Sequence, residues 1–404
     1  MNASGRAATS DAPGVTWAIV GGGIHGVHIA VRLLDRGVAL ENLRIVDPGP
    51  ELLHSWFRCT SNTGMQFLRS PAVHNLDLNP WSIHRFADAT GRGRKSAKGL
   101  FAAPYDRPST ALFEDHSRDV IARFGLADRH VRGAVTRLDV SCDGVDLALR
   151  GGSSLRAHRV VLALGAADRP RWPLWAEALR GQGGQVQHVF EPGFVFDPDE
   201  WPARVAVVGG GITAAQAALR LASGGRQVHL LARHRPRPHQ FDSDPGWLGP
   251  KRMRDFVETQ DPDVRRVMID KARNAGSMPP DILRILKAAV SEGSIQRHEG
   301  QIACWGGPPV SLDVGEDQIT LDAVLLATGF ESARPGGALV DSLVESADLP
   351  CASCGYPILD RHLRWHPRVF VSGPLAELQV GPVSRNIAGA RRAADRIVRA
   401  GAVA

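Results

Sequence analysis

Val15-Thr16-Trp17-Ala18-Ile19-Val20, followed at once by Gly21-Gly22-Gly23-Ile24-His25-Gly26, is the stretch that decides the fold. Six mostly apolar residues have the length of a buried strand, and the G-x-G-x-x-G after them predicts a tight turn that opens a helix. In a chain with 43 glycines that spacing is weak by itself. Its surroundings strengthen it. Val27, Ala30, Val31 and Leu34 recur at i, i+3, i+4 and i+7, predicting a helix with one face on a sheet and a stop at Gly37. A second strand, Leu43 to Val46, then ends in Asp47, about 20 residues past the glycines. In such a βαβ unit Gly21, Gly23 and Gly26 let the backbone approach a pyrophosphate, the helix N-terminus offers unpaired N–H groups to its charge, and Asp47 can accept from ribose hydroxyls.

The pattern recurs further along the chain. Val205 to Val208 precedes Gly209-Gly210-Gly211-Ile212-Thr213-Ala214, with Ala214 in the third glycine's place, and a helix pattern runs to Gly224-Gly225 before the strand Val228 to Leu231. Two such units are far harder to obtain by accident than one. They diverge where the ribose would sit: in place of Asp47 stands Ala232-Arg233-His234-Arg235. An arginine there favours a 2′-phosphate over a 2′-hydroxyl, so NADPH is expected in preference to NADH. Unlike sites imply unlike dinucleotides, with FAD resident at the first and NADPH diffusing to the second.

The remaining composition narrows the classes. At 404 residues the chain suits two domains, and 43% hydrophobic with 22% charged content is that of a globular protein. Apolar runs are strand-sized, which predicts no membrane span. Residues 1–14 are small and polar and read as a disordered tail on a cytoplasmic protein. The net charge of +6 comes from scattered residues dominated by arginine, which does not predict nucleic-acid binding. Its densest cluster, Arg92, Arg94, Lys95 and Lys98, reads as a solvated loop. Five cysteines, odd in number and mostly dispersed, argue against a disulfide framework. Only Cys351-Ala352-Ser353-Cys354 has redox spacing.

Three further runs look like returns to these sheets. Arg159 to Gly165, followed by Pro170, resembles the h-h-h-A-T-G-x-x-x-x-P segment of two-dinucleotide flavoproteins, with Leu164 for the threonine. Asp322 to Phe330 is a fuller version carrying Thr328-Gly329, and Arg368 to Gly373 leads to a closing helix from about Ser384 to Arg399. Together these residues resemble the class B flavin monooxygenases, nearest the N-hydroxylating ornithine and lysine monooxygenases, with Phe330 where that group's D-x-x-x-L-A-T-G-Y signature has tyrosine. His54-Ser55-Trp56 and Gly64-Met65-Gln66 are similar to its W-H-x-G-M and M-Q elements, although order and spacing differ. The resemblance places Trp56, Met65 and Gln66 by the flavin, Gln66 at its reactive edge; Trp56 and Met65 as ordinary core residues is the competing reading. His188 and Pro192 give half a match to the F-x-G-x-x-x-H-x-x-x-W/P fingerprint, and a linker with an incidental histidine is the alternative. The acidic residue that often follows the last strand's glycine is replaced by Pro374.

The resemblance implies an α/β protein with two Rossmann-like domains. The expected FAD domain is discontinuous, 15–170 and 322–404, and uses Gly21, Gly23, Gly26, Asp47, Gly165 and Gly373. A linker spans 171–203. The NADPH domain, 204–321, uses Gly209, Gly211, Ala214, Arg233 and Arg235, with Thr328 and Gly329 at the passage between domains and a turn-rich, substrate-side insertion at about 236–280. The implied reaction is NADPH-driven reduction of FAD, addition of O2, and oxygenation of a small nucleophilic substrate by the (hydro)peroxyflavin, N-hydroxylation favoured. A pyridine-nucleotide-linked reductase acting on a disulfide, quinone or protein, and a flavin-bound sensor without turnover, remain as alternatives. No metal site is expected, and self-association is left open.

Overall fold

The computed structural model describes residues 14–91, 99–166, 169–306 and 309–401, so the expected tail, apart from Gly14, and the Arg92–Lys98 cluster lie outside the described residues. Both glycine motifs open βαβ units, and each first strand lies at the centre of its sheet. In the first sheet Val15–Val20 pairs in parallel with Leu43–Asp47 on one side and Ser154–Leu162 on the other. His130–Arg132 and Val369–Val371 extend it in the same direction on the two sides, and Arg364–His366 adds an antiparallel edge beyond the latter. In the second, Arg204–Val208 lies between Gln227–Ala232 and Ala323–Leu326, with Ile295–Glu299 and Gln185–His188 outermost, all parallel. The central strands Val15–Val20, Leu43–Asp47, Arg204–Val208 and Ala323–Leu326 are mostly buried and read as the near-continuous apolar runs seen in the sequence, whereas the outer strands are more polar.

Each glycine turn passes into a helix, Ile24–Asp35 in the first unit and Ile212–Ser223 in the second. The first is buried more evenly than one amphipathic stripe requires: Val27, Ile29, Ala30, Val31 and Leu33 are all enclosed, because the C-terminal helix Ile387–Gly401 packs across the face turned away from the sheet. Gly37, with φ +89°, ends it as expected.

The expected domain limits need correction. Ala323–Leu326 and Gln185–His188 are adjacent strands of the second sheet, so residues assigned to the first domain and to the linker complete the second one. Four buried apolar residues carry no mark of which sheet receives them; hydrogen-bonded register decides it. The insertion also differs from its expected form. Between Arg237–Pro238 and Ser277–Met278, which pair as short strands, it folds into the helices Pro250–Glu258 and Pro262–Ala272. Trp247, Met253, Phe256 and Ile269 belong to the apolar core of the first unit, so this segment leaves the second unit and is built into the other.

Candidate functional site

The first turn is closed by backbone contacts that leave no room for side chains. Gly21 has φ +111°, and a Cβ there would lie 2.5 Å from the Ala163 carbonyl oxygen. At Gly26 a Cβ would lie 1.9 Å from the Gly21 carbonyl oxygen, so this glycine serves close packing of turn against helix and not ligand clearance. Gly23 behaves differently. It caps the helix with no side-chain hydrogen bond, its φ of −78° suits any residue, and a Cβ would meet nothing within 4 Å. That is open space beside unpaired helix N–H groups, the cradle a pyrophosphate requires.

Asp47 stands at the end of the neighbouring strand, as expected, but part of its accepting capacity is already used. Its Oδ2 accepts from the Gly22 N–H at 2.7 Å and its Oδ1 from the Gly49 N–H at 2.8 Å. An ionised carboxylate has about four lone-pair sites, so a ribose hydroxyl can still be accepted. Asp47 therefore shapes the turn and keeps accepting capacity to spare. Gly373, φ +68°, places the end of the last parallel strand near the Leu164 carbonyl and the His25 ring, and Ser384 donates to its carbonyl at 2.6 Å. His25, inside the motif but not singled out in the sequence, bonds Ser372 through Nδ1 at 2.8 Å; burial, with His28 nearby, lowers its pKa to about 4 and keeps it neutral. The first turn, the segment reaching Gly165 and the Ser372-Gly373 strand end thus enclose one site.

The second turn repeats this geometry. A Cβ on Gly209 would lie 2.5 Å from the Ala327 carbonyl oxygen, matching Gly21 against Ala163, and the buried Ala214 packs beneath it. Gly211 caps the following helix with no side-chain bond. Arg233 and Arg235 follow the strand Gln227–Ala232; both are exposed, and neither side chain has an ion pair or hydrogen bond among the described residues. Between them His234 turns inward over Gly210, its Nδ1–H donating to the Arg235 carbonyl at 2.8 Å. Two arginines directed to water, flanking a ring folded against the turn, leave both guanidinium groups available to an anion.

The two crossings between units lie side by side. Pro170 and Phe330 form an antiparallel bridge, the Arg171 N–H donates to Gly329 at 2.9 Å, the Glu331 N–H donates to Arg169 at 3.0 Å, and Arg169 and Glu331 form an ion pair. His188 locks this hinge. The Phe190 N–H donates to its Nδ1 at 3.0 Å, which leaves the proton on Nε2 to donate to Thr328 Oγ1 at 3.1 Å; the Thr328 hydroxyl in turn donates to the Arg171 carbonyl. Burial lowers the His188 pKa to about 4, so this tautomer persists near neutrality. His188 thus has a structural task, which Leu164 could not share in the other return segment because it lacks a hydroxyl.

The helix His54–Thr63 connects both units. The Leu53 N–H before it donates to the Gly22 carbonyl at 2.8 Å, while Asn62 donates to the Val189 and Phe194 carbonyls and Arg58 to that of Glu191. Trp56 is half-buried against Phe113, ring centroids 4.9 Å apart, and Met65 also packs on the core. Gln66 is exposed; its carbonyl accepts from the Thr110 N–H at 2.9 Å, and its side chain has no hydrogen bond among the described residues. The insertion docks beside this loop, where Arg69 donates to the Gln240 carbonyl at 3.0 Å and pairs with Asp242 at 2.5 Å.

On its other side the insertion locks onto the C-terminal closing element through a cluster that sequence reading missed. Glu377 is fully buried. It accepts from Arg385 at 2.8 and 3.0 Å and from Arg273 at 3.0 Å, and also pairs with Arg266, whose guanidinium lies 4.1 Å over the Tyr356 ring. Burial raises the Glu377 pKa, but the bonds and charges of Arg385, Arg273 and Arg266 outweigh it and hold the carboxyl below its ordinary value. The acid absent at Pro374 is therefore found one helical turn later, committed to arginines. Only the return of residues 262–273 onto the first unit could have disclosed this.

Cys351 and Cys354 are free thiols on a tight turn in which the Gly355 N–H donates to Ala352. Burial pushes the Cys351 thiol up, the opposite of what an attacking thiolate needs. No group of metal-ligating residues occurs among the described residues.

Residues 18–167 match the family described as FAD-NAD(P)-binding, and residues 97–246 match pyridine nucleotide-disulphide oxidoreductase. No curated protein matches the chain. Among solved structures it is similar to the ornithine N-hydroxylase of Kutzneria sp. 744, described with reduced FAD, NADP+ and L-orn: 18% identity over 96% of this chain and 98% of that one, TM-score 0.76. It is similar to the FAD-bound cadaverine monooxygenase of Erwinia amylovora, with 14% identity over 96% and 94% and a TM-score of 0.74. It is also similar to the bacillithiol disulfide reductase of Bacillus cereus, with 19% identity over 96% and 99% and a TM-score of 0.62. Identities this low establish the fold, two dinucleotide-binding α/β units in one flavoprotein-like chain.

Proposed function

We propose that this chain is an FAD-dependent, NADPH-using monooxygenase of a small nucleophilic substrate, with nitrogen the favoured target. The observation that carries the reading is the divergence of two otherwise matching turns: a carboxylate beside the first and two unpaired arginines beside the second. FAD fits the first, where Gly23 leaves open space next to uncapped helix N–H groups. The helix at Gly211 and the guanidinium groups of Arg233 and Arg235 fit a phosphorylated nicotinamide dinucleotide. When bound, FAD takes a hydride from NADPH and passes electrons to O2. The protein's part is to hold the two dinucleotides across the Arg169–Glu331 and Thr328–Arg171 hinge and to shield the reacting edge from water. We assign the shield to the insertion, because it is fastened on one side by Arg69 and on the other by Glu377.

The greater whole-chain likeness to the N-hydroxylases supports oxygenation over disulfide reduction, as does the raised pKa of Cys351. No helix among the described residues is long and apolar enough to cross a membrane, which agrees with a substrate taken from solution. The test follows NADPH oxidation, O2 uptake and peroxide together, with candidate primary amines, thioethers and ketones. We expect one class to lower the peroxide released per NADPH and to gain an oxygen atom from labelled O2. Gln66→Ala should raise peroxide release more than it slows flavin reduction. Electrons going to a disulfide, or to peroxide whatever substrate is present and regardless of Gln66, would return the assignment to a reductase or a sensor.

A further inference from the structure

A cavity of about 440 Å³ opens where the insertion, the closing element and the C-terminal helix meet, and it shares no residue with either glycine turn. Its floor is Phe256, and four arginines converge on it: Arg265 from the insertion, Arg361 from the loop before the last strands, and Arg396 and Arg399 from the C-terminal helix. No carboxylate lines it. Along the same elements Asp360 is engaged by Arg364, Asp395 by Arg32 and Glu377 by its three arginines, while Glu258, next to Val257, is exposed and is not among the lining residues. Four like charges with no carboxylate among the lining residues repel one another; at Arg396 burial lowers the pKa first, and the charges of Arg392, Arg265 and Arg399 add to it.

Three of the four guanidinium groups, those of Arg265, Arg361 and Arg396, are held by hydrogen bonds. Arg265 donates to the Thr259 and Leu378 carbonyls at 2.6 and 3.0 Å and to Gln379 Oε1 at 2.9 Å, and Arg396 donates to the Gln379 carbonyl at 3.0 Å. His362 Nδ1–H donates to the Arg396 carbonyl at 3.2 Å, which leaves Nε2 to accept from Arg361 Nε at 3.0 Å. The His362 ring therefore orients Arg361, whose outer N–H groups have no partner among the described residues, and the Arg399 side chain has none either. The planar forks of Arg265, Arg361 and Arg396 are oriented, Arg399 can turn to meet them, and guanidinium groups match phosphate oxygens; the volume is that of a small-molecule site.

We propose that this cavity binds a small soluble metabolite through a phosphate or pyrophosphate group, at a site separate from both dinucleotides. Gln379 in its wall follows Glu377 by two residues, so an occupant would touch the element that closes the first dinucleotide site. The inference does not rest on the monooxygenase reading. It is tested by titrating FAD-loaded protein calorimetrically with inorganic pyrophosphate, with and without saturating NADP+, because binding that NADP+ abolishes belongs to the glycine turns. One NADP+-insensitive site is expected, weakened at least about tenfold in Arg361→Gln/Arg399→Gln as charge-assisted bonds are lost. His362→Ala should weaken it less, and flavin content and the rate of flavin reduction by NADPH should be unchanged in both variants. No NADP+-insensitive binding, binding equal in the double variant, or retention on phosphatidylglycerol vesicles in place of pyrophosphate binding would each overturn the proposal.

Discussion

Replacing Arg233 and Arg235 together by alanine tests the second site with little structural disturbance. Both side chains are exposed and unpaired among the described residues, so their removal breaks no internal bond, and the His234 ring keeps its backbone partner because that partner is the Arg235 carbonyl. The variant should melt with the parent. A charge-assisted hydrogen bond contributes roughly 1.5 to 3 kcal/mol, and solvent at these exposed positions argues for the lower end. Two such bonds amount to about 3 kcal/mol, or somewhat over a hundredfold in Kd at about 1.4 kcal/mol per factor of ten. NADH has no 2′-phosphate and should bind nearly as before. Anaerobic stopped-flow bleaching of the flavin, titrated with each nucleotide at two salt concentrations, measures both constants. The NADPH preference should collapse, and the salt dependence of NADPH binding should fall with it. A preference that moves by less than about threefold would place the phosphate elsewhere and remove the main support for NADPH.

Gly23→Val should give folded but colourless protein, since the new side chain enters only the open cradle, whereas Gly26→Ala should fail to fold because its Cβ would collide with the Gly21 carbonyl; visible flavin absorbance and circular dichroism separate the two outcomes. Cys351→Ser with Cys354→Ser should retain NADPH-driven turnover, and loss of turnover at normal flavin content would promote the reductase reading. Glu377→Gln should cost about 3 kcal/mol, the low end for breaking a buried ion cluster, because its arginines keep some access to water, and protease should then cut the 236–280 insertion faster. Because the Glu377 pKa in the fold lies below its ordinary value of 4.5, its stabilisation is full above that value and is lost as pH falls through the lowered one. The melting temperature of the parent should therefore fall more than that of the variant as the pH is taken from 5 to below 4.

The glycine turns were legible because their chemistry is local. Strand, turn, helix and second strand fit within about 30 residues, and a pyrophosphate cradle needs no more than that. The divergence of Asp47 from Arg233 and Arg235 was legible for the same reason. His188 was ambiguous because its role depends on Thr328, which reaches it only when two distant strands become neighbours. His25 lay within the quoted motif and still went unremarked, since nothing local tells that Ser372 will be its partner.

By itself the sequence determined that two dinucleotide units exist, that their ribose ends differ in charge, and where the helix after each glycine turn begins, because backbone clearance, helix capping and side-chain charge are properties of adjacent residues. Tertiary structure alone decided which sheet received Ala323–Leu326 and Gln185–His188, and that the insertion would leave its own unit to pack Phe256 and Ile269 in the other. It also brought Arg266, Arg273 and Arg385 onto one buried carboxylate and left four other arginines around a cavity with none. The physical reason is desolvation: an arginine in a sequence is a solvated charge, and only the packing of remote elements settles which ones must find a carboxylate and which remain free to hold an anion.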